Sequence, residues 1–242
     1  MTTPSTTKTK KSKQEDRVHW FHCYGDLQLR STDKIIFKMI PQRLEAVSTV
    51  FKNMMEIGNH NKSANHKHKS SSDADIVDVD LHSTNLEAFV NMIIIPQPTK
   101  LSTDFAGSLQ LHEFCEKFEI NDTFHDMVKK RLFETTGHHY SWALLIWAAE
   151  RNDLHMARDA VAGMKTQNFL CPQILDQDNT RVELDFWSAM SRLPADWQRD
   201  LLRLTLTPPL SAAAYVGNIN FNFHMNVSNH WSQVSVNFNP QE

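Results

Sequence analysis

The sequence predicts an α+β chain in which short strands come first and helices follow. Three observations carry that prediction. Leu27 and Leu29, then Ile35, Phe37 and Met39, recur at every second position, the period of a half-buried strand. Leu44, Val47, Val50, Phe51 and Met54 recur at three- and four-residue steps, so they share one helical face. Beyond Asp104 further runs repeat that helical spacing, and 242 residues suffice for one large domain or two modest ones.

Residues 1–16 are basic, Ser/Thr-rich and without large periodic apolar groups, which reads as a disordered tail. The two period-two runs around Ser31-Thr32-Asp33-Lys34 read as a β-hairpin. Pro41 fits the first position of a helix, where its missing N–H costs nothing. Ser48 can cap the next helix by accepting from an exposed backbone N–H. Residues 58–74 have almost nothing to bury and are expected to form a flexible insertion. Ile76, Val77, Val79 and Leu81 resume as a short strand. Thr84-Asn85-Leu86-Glu87 has the capping-box pattern, opening a helix with Leu86, Phe89, Val90 and Ile93 on one face. Pro96-Gln97-Pro98 ends it.

After Asp104 the stripe Leu111, Phe114, Cys115 and Phe118 predicts another helix. Asn121 can cap the next, which buries Phe124, Val128 and Leu132 and closes at Gly137. Trp142 to Ala149 and Leu154 to Val161 flank Asn152-Asp153, an αα-hairpin. A later helical segment is expected from about Val182 to Leu204, broken near Pro194. In the Asn-rich tail, Ile219 to Val227 and then Val234, Val236 and Phe238 alternate, which reads as two strands turning at Ser228-Asn229-His230.

The bulk numbers exclude several classes. A net charge of −3 supplies no field that would recruit nucleic acid or an acidic membrane. Cys23, Cys115 and Cys171 are odd in number and far apart, which argues against a disulfide framework and for a reducing compartment. No apolar run is long enough to span a bilayer, and charge stands where a signal peptide needs an apolar core. The expected location is therefore intracellular, in the cytoplasm, the nucleus or both. The sequons at Asn61, Asn121 and Asn226 then read as chance matches.

Catalytic chemistry finds no frame in the sequence. With only six glycines there is no phosphate-cradling loop, and no Gly-x-Ser-x-Gly or His-Glu-x-x-His occurs. Among 13 histidines, His60, His66 and His68 alternate with lysines, His138-His139 are adjacent, and His19, His22 and Cys23 cluster. None has the four-ligand spacing of a structural zinc site, so no metal, cofactor or catalytic residue is expected. Lys8 to Lys13 could touch phosphates electrostatically, but no base-reading helix accompanies them.

The ordered set Gly25-Asp26, Leu27, Leu29, Asp33, Phe37, Leu44, Ser48, Val50-Phe51 and Met54 resembles the BTB/POZ family in the form common in fungi. Ile76-Val77-Asp78-Val79 matches that family's third strand, Asn85 to Ile95 its following helix, and Leu111 to Leu132 its closing helical pair. The resemblance implies a short mixed β-sheet flanked by helices over residues 17–136 and a helical extension over 137–207, and the Asn-rich composition sets apart a tail over 208–242. It implies a non-catalytic protein–protein interaction module, commonly a homodimer, acting as a scaffold or adaptor. The self-association surface is expected at Val18, Trp20, Leu44, Val47, Phe51 and Met54. The alternatives are a cullin-type ubiquitin-ligase adaptor and a chromatin- or transcription-associated protein with weak basic-tail contacts to nucleic acid. Two departures stand out. Ile40-Pro41 replaces the family's usual His-Arg, and Ile95-Pro96-Gln97-Pro98-Thr99 stands where cullin adaptors carry an apolar-x-Glu segment.

Overall fold

Leu27 faces Met39 and Leu29 faces Phe37 in the antiparallel hairpin that the alternation predicts. The computed structural model describes residues 15–64, 76–95, 101–175, 181–207, 226–228 and 230–240. The chain divides into two compact units. The first holds the residues up to Thr103 together with Gly107–Lys129, and the second holds Asp104–Ala106 and the residues from 130 onward.

The first unit is built on a mixed sheet of β1 (Arg17–Cys23), β2 (Leu27–Arg30), β3 (Ile35–Met39) and β4 (Ile76–Asp78), in the order β1-β3-β2-β4. β1 runs parallel to β3, and β4 runs parallel to β2. Arg30 fastens this register. Its Nε and Nη2 donate to the Asp78 carboxylate at 2.6 and 2.8 Å, and its Nη1 donates to Asp16 at 3.0 Å. The hydrogen bond from Arg30 holds the Asp78 carboxyl below its usual range. In the hairpin turn, Asp33 accepts from the Ser83 backbone N–H at 2.9 Å and the Ser83 hydroxyl at 2.7 Å. Burial would raise the Asp33 carboxyl, but the bonds from Ser83 and Ser31 outweigh it and lower it.

Five helices complete this unit in whole or part: α1 (Pro41–Glu45), α2 (Thr49–Ala64), α3 (Ser83–Ile94), α4 (Phe105–Lys117) and α5 (Asp122–Thr136). Pro41 opens α1 from an extended Ile40. Leu29, Phe37, Leu44, Phe51, Leu86, Phe89, Leu111, Phe114 and Val128 meet in one core cluster. Phe51 stacks on Phe118 with ring centroids 4.7 Å apart. The Ser48 hydroxyl accepts from the Phe51 N–H at 3.1 Å and donates to the Phe118 carbonyl. Ser48→Ala removes a helix cap and leaves a buried carbonyl unpaired, so it should cost about 2 kcal/mol. Urea denaturation checks this, and an unchanged midpoint would remove Ser48 from the account.

Two expectations in this unit need correction. α2 continues to Ala64, so the proposed insertion does not begin at Gly58. Once a helix is nucleated, each added residue gains a backbone hydrogen bond without needing an apolar side chain. The rest of that segment, 65–74, lies outside the described residues. The capping box at Thr84 is displaced too: His82 is the N-cap of α3, its ring accepting from the Thr84 N–H.

The second unit centres on α6 (Ser141–Glu150) and α7 (Leu154–Ala162), the expected αα-hairpin. Asn152 takes φ +53° in the turn, and Asp153 caps α7 by accepting from the Met156 N–H at 3.0 Å. α8 (Thr166–Leu170), α9 (Phe186–Met190), α10 (Ala195–Thr205) and α11 (Trp231–Asn237) follow in chain order. Trp142 is buried, and its Nε1 donates to the Phe169 carbonyl at 3.1 Å. Between α8 and α9, β5 (Gln173–Leu175) pairs antiparallel with β6 (Arg181–Glu183). Val182 therefore lies in a strand, and helix is confined to α9 and α10 on either side of Pro194.

The tail also departs from its expected form. Val234 and Val236 belong to α11, not to a strand. Trp231, Val234, Ser235 and Phe238 lie at helical spacing and are buried, whereas Val236 is exposed. Ser235 Oγ donates to the Arg158 carbonyl at 2.7 Å, and Arg158 Nε donates to the Phe238 carbonyl at 2.9 Å, which fastens α11 to α7. Asn226–Val227 (β8) pairs with Leu206–Thr207 (β7), and 219–225 lie outside the described residues. Among the described residues no helix is long and apolar enough to cross a membrane.

Candidate functional site

β1 lies at one edge of its sheet and pairs with β3 alone among the described residues. Its register is interrupted. The five steps from Val18 to Cys23 face only two steps from Ile36 to Lys38, so the strand bulges outward between them. The bulge sorts its residues. His19 and His22 turn inward and are buried, while Trp20 and Phe21 both point to solvent, 81% and 59% exposed. The His19 Nδ1 atom holds the loop by accepting from the His22 N–H at 3.1 Å.

Beneath the bulge the His19 ring stacks on Phe37 at 4.4 Å between centroids, and His22 stacks on His19 at 5.2 Å. His22 Nε2 lies 3.0 Å from Oδ1 of Asn91 on α3. His19 Nε2 lies 3.8 Å from Glu87 on the same helix. Burial pushes His22 below the ordinary value of 6.5. The Asn91 bond opposes that shift and the neighbouring His19 adds to it, leaving a net lowering.

Above about pH 6.5 neither the folded nor the unfolded chain protonates this ring. As pH falls below that value the unfolded chain takes up the proton first, and stability declines until the lowered folded value is passed. Urea midpoints measured at about pH 7.5 and about pH 5.5 should fall, and His22→Gln should flatten the change. Equal pH dependence in the two proteins would discount the His22 contribution.

The outer surface of this edge is aromatic. Trp20 and Phe21 are adjacent, with centroids 5.5 Å apart, and Tyr24 is 83% exposed. Val18 and Ile40 are exposed as well. Gly25 packs directly against the Met39 backbone, which brings Tyr24 and Ile40 to the same end of the sheet.

The six residues expected to form a self-association surface separate into two groups. Val18, Trp20 and Met54 are exposed. Leu44, Val47 and Phe51 are buried in the core cluster and present nothing to a partner in this folded form. Their helical stripe faces inward because the sheet and α4 need it to close the core. Tyr24 and Ile40 take their place as exposed apolar groups. Neither belongs to a periodic pattern, so only three-dimensional placement brings them forward.

A second feature of the first unit lies where α4 turns into α5. Glu119 takes φ +47°, Ile120 N–H donates to the Cys115 carbonyl at 2.9 Å, and Asn121 N–H donates to the Val47 carbonyl at 2.8 Å. Asn121 Oδ1 accepts from the Phe124 N–H at 3.3 Å, the expected cap of α5. An open cleft of about 560 Å³ here is lined by Thr49, Cys115, Glu116, Glu119, Asp122 and His125, among others. Thr49 Oγ1 donates to Glu119 across it. Burial pushes the Cys115 thiol up to about 12, so it stays protonated and unreactive.

Beside this cleft His112, Glu116 and His125 converge, and they are the group with metal-ligand geometry among the described residues. Burial, followed by the nearby Lys129, pushes His125 below its ordinary value. The sequence carries a His-x-x-x-Glu step for two of these groups, but the third stands on the next helix, beyond a turn. The loop histidines His66 and His68 lie outside the described residues.

No protein-family model matches this chain, and no curated protein matches it.

Proposed function

We propose that the chain is a BTB/POZ-type protein-interaction module that self-associates through the outer face of β1, and so acts as a scaffold or adaptor. The supporting observation is the exposed aromatic bulge on an edge strand. A few residues carry most of the affinity of a protein interface, and Trp and Tyr are enriched among them. Here the backbone that carries Trp20, Phe21 and Tyr24 is held by a buried histidine and a glycine contact, so less backbone ordering remains to be done on docking.

The occupant is a second copy of this chain. A single edge strand with an apolar outer surface is self-complementary about a two-fold axis, the commonest way identical chains pair. The bulge interrupts the regular ladder, so the contact rests on side chains more than on a continued sheet. Ile40 adds apolar surface where the resembling family has a polar residue.

Light scattering on the full chain at tens of micromolar tests this reading. The expected mass is twice the 28.0 kDa of one chain. A particle that stays at the mass of one chain throughout that range would remove self-association from the account.

A further inference from the structure

We propose that His112, Glu116 and His125 form a binding site for a zinc-class divalent cation that clasps α4 to α5. The two α4 residues stand four apart, so they share one helical face. His112 Nδ1 lies 3.7 Å from Oε1 of Glu116. The turn at Glu119 brings His125 across from α5, and the His112 and His125 rings are 4.6 Å apart, inclined by 58°. One ligand-capable atom from each of the three residues lies within 4.8 Å of the other two.

A tetrahedral zinc ion with bonds of about 2.0–2.1 Å keeps its donor atoms roughly 3.3 Å apart. From their present spacing the three donors would draw closer together around an ion. Glu116 is about half exposed, while His112 is buried and gives a fixed point. The Nε2 atom of His125 is buried with no hydrogen-bond partner among the described residues. A buried unpaired nitrogen is costly, and a metal bond would satisfy it.

The donor set selects the cation class. Two imidazoles and one carboxylate are the borderline donors that suit zinc, whereas calcium and magnesium favour shells of oxygen. Glu119 and Asp122 on the cleft wall add negative charge near the ion. Three protein ligands leave a fourth position for water beside the cleft. The consequence is structural: the ion would fasten the two helices that carry its ligands.

The test is zinc titration of the chelator-treated full chain against a chromophoric competitor, together with the unfolding temperature. Wild type should bind a single equivalent at micromolar or tighter affinity, and its unfolding temperature should rise with zinc. Glu116→Gln and His125→Gln should each weaken binding beyond the roughly 10–100-fold that loss of an outer-shell partner costs. Both should abolish the thermal shift. Glu116 is exposed enough that its variant keeps the fold, which the unfolding temperature without zinc confirms. A chain carrying His60→Asn, His66→Asn and His68→Asn should bind as wild type does. Absence of stoichiometric binding would overturn the site. So would binding that survives Glu116→Gln and His125→Gln and disappears when His60, His66 and His68 are replaced.

Discussion

Gly25→Ala should destabilise the first unit by at least about 3 kcal/mol, well beyond the typical single substitution. Gly25 has φ +125°, a conformation that side chains rarely adopt. A Cβ there would stand 2.2 Å from both the carbonyl carbon and the oxygen of Met39, and 2.7 Å from its Cα. Those neighbours are backbone atoms of β3, so no rotamer change relieves the overlap. The link between β1 and β2 would have to lift away from β3, and the aromatic edge would shift with it. Gly137 is the matched comparison. It also has positive φ, +48°, but nothing lies within 4 Å of its Cβ position, so Gly137→Ala should cost only about 1–2 kcal/mol. Urea denaturation of the two variants side by side separates close approach from conformational preference. Equal losses would refute the close approach.

Trp20→Ala should weaken self-association by about 30-fold or more, the effect of removing a residue worth at least 2 kcal/mol at an interface. Unfolding of the single chain should change by no more than about 0.5 kcal/mol, because an exposed side chain contributes little to the core. Phe51→Ala should do the reverse. That ring is buried against Phe118, and its loss should cost about 3–5 kcal/mol of stability. The contrast decides between the two groups into which the expected surface separated. If Phe51→Ala lowered association with stability intact, the buried half of that set would regain a direct role.

Local physics made much of the first unit readable. Leu27, Leu29, Phe37 and Met39 alternate because one face of the hairpin is buried, and the observed pairing follows. Pro41, Ser48 and Asn121 each act where an unpaired helix N-terminus needs them. β1 was harder to read because its bulge replaces the two-residue period with His19 and His22 three apart. The tail carried two periods at once. Val234, Val236 and Phe238 satisfy the strand pattern, while Trp231, Val234, Ser235 and Phe238 satisfy the helical one, and docking on α7 selects the second. The short pair β5 and β6 leaves almost no trace in the sequence, because three-residue strands carry almost no periodic signal.

The candidate sites were less legible for the same reason. Trp20 and Phe21 were visible as an aromatic pair, but their exposure depends on where the bulge falls. Tyr24 and Ile40 come to one end of the sheet only through the Gly25–Met39 contact. His125 joins His112 and Glu116 only because Glu119 adopts a positive φ between the two helices.

Backbone hydrogen exchange at two concentrations of the full chain, one well below and one well above association, shows most directly where a second copy docks. If a second copy docks on the outer face of β1, the amides from Val18 to Tyr24 gain protection at the higher concentration, while those of β4 at the opposite edge do not. Unchanged protection over Val18 to Tyr24 in a sample whose mass has doubled would place the interface elsewhere and contradict the account.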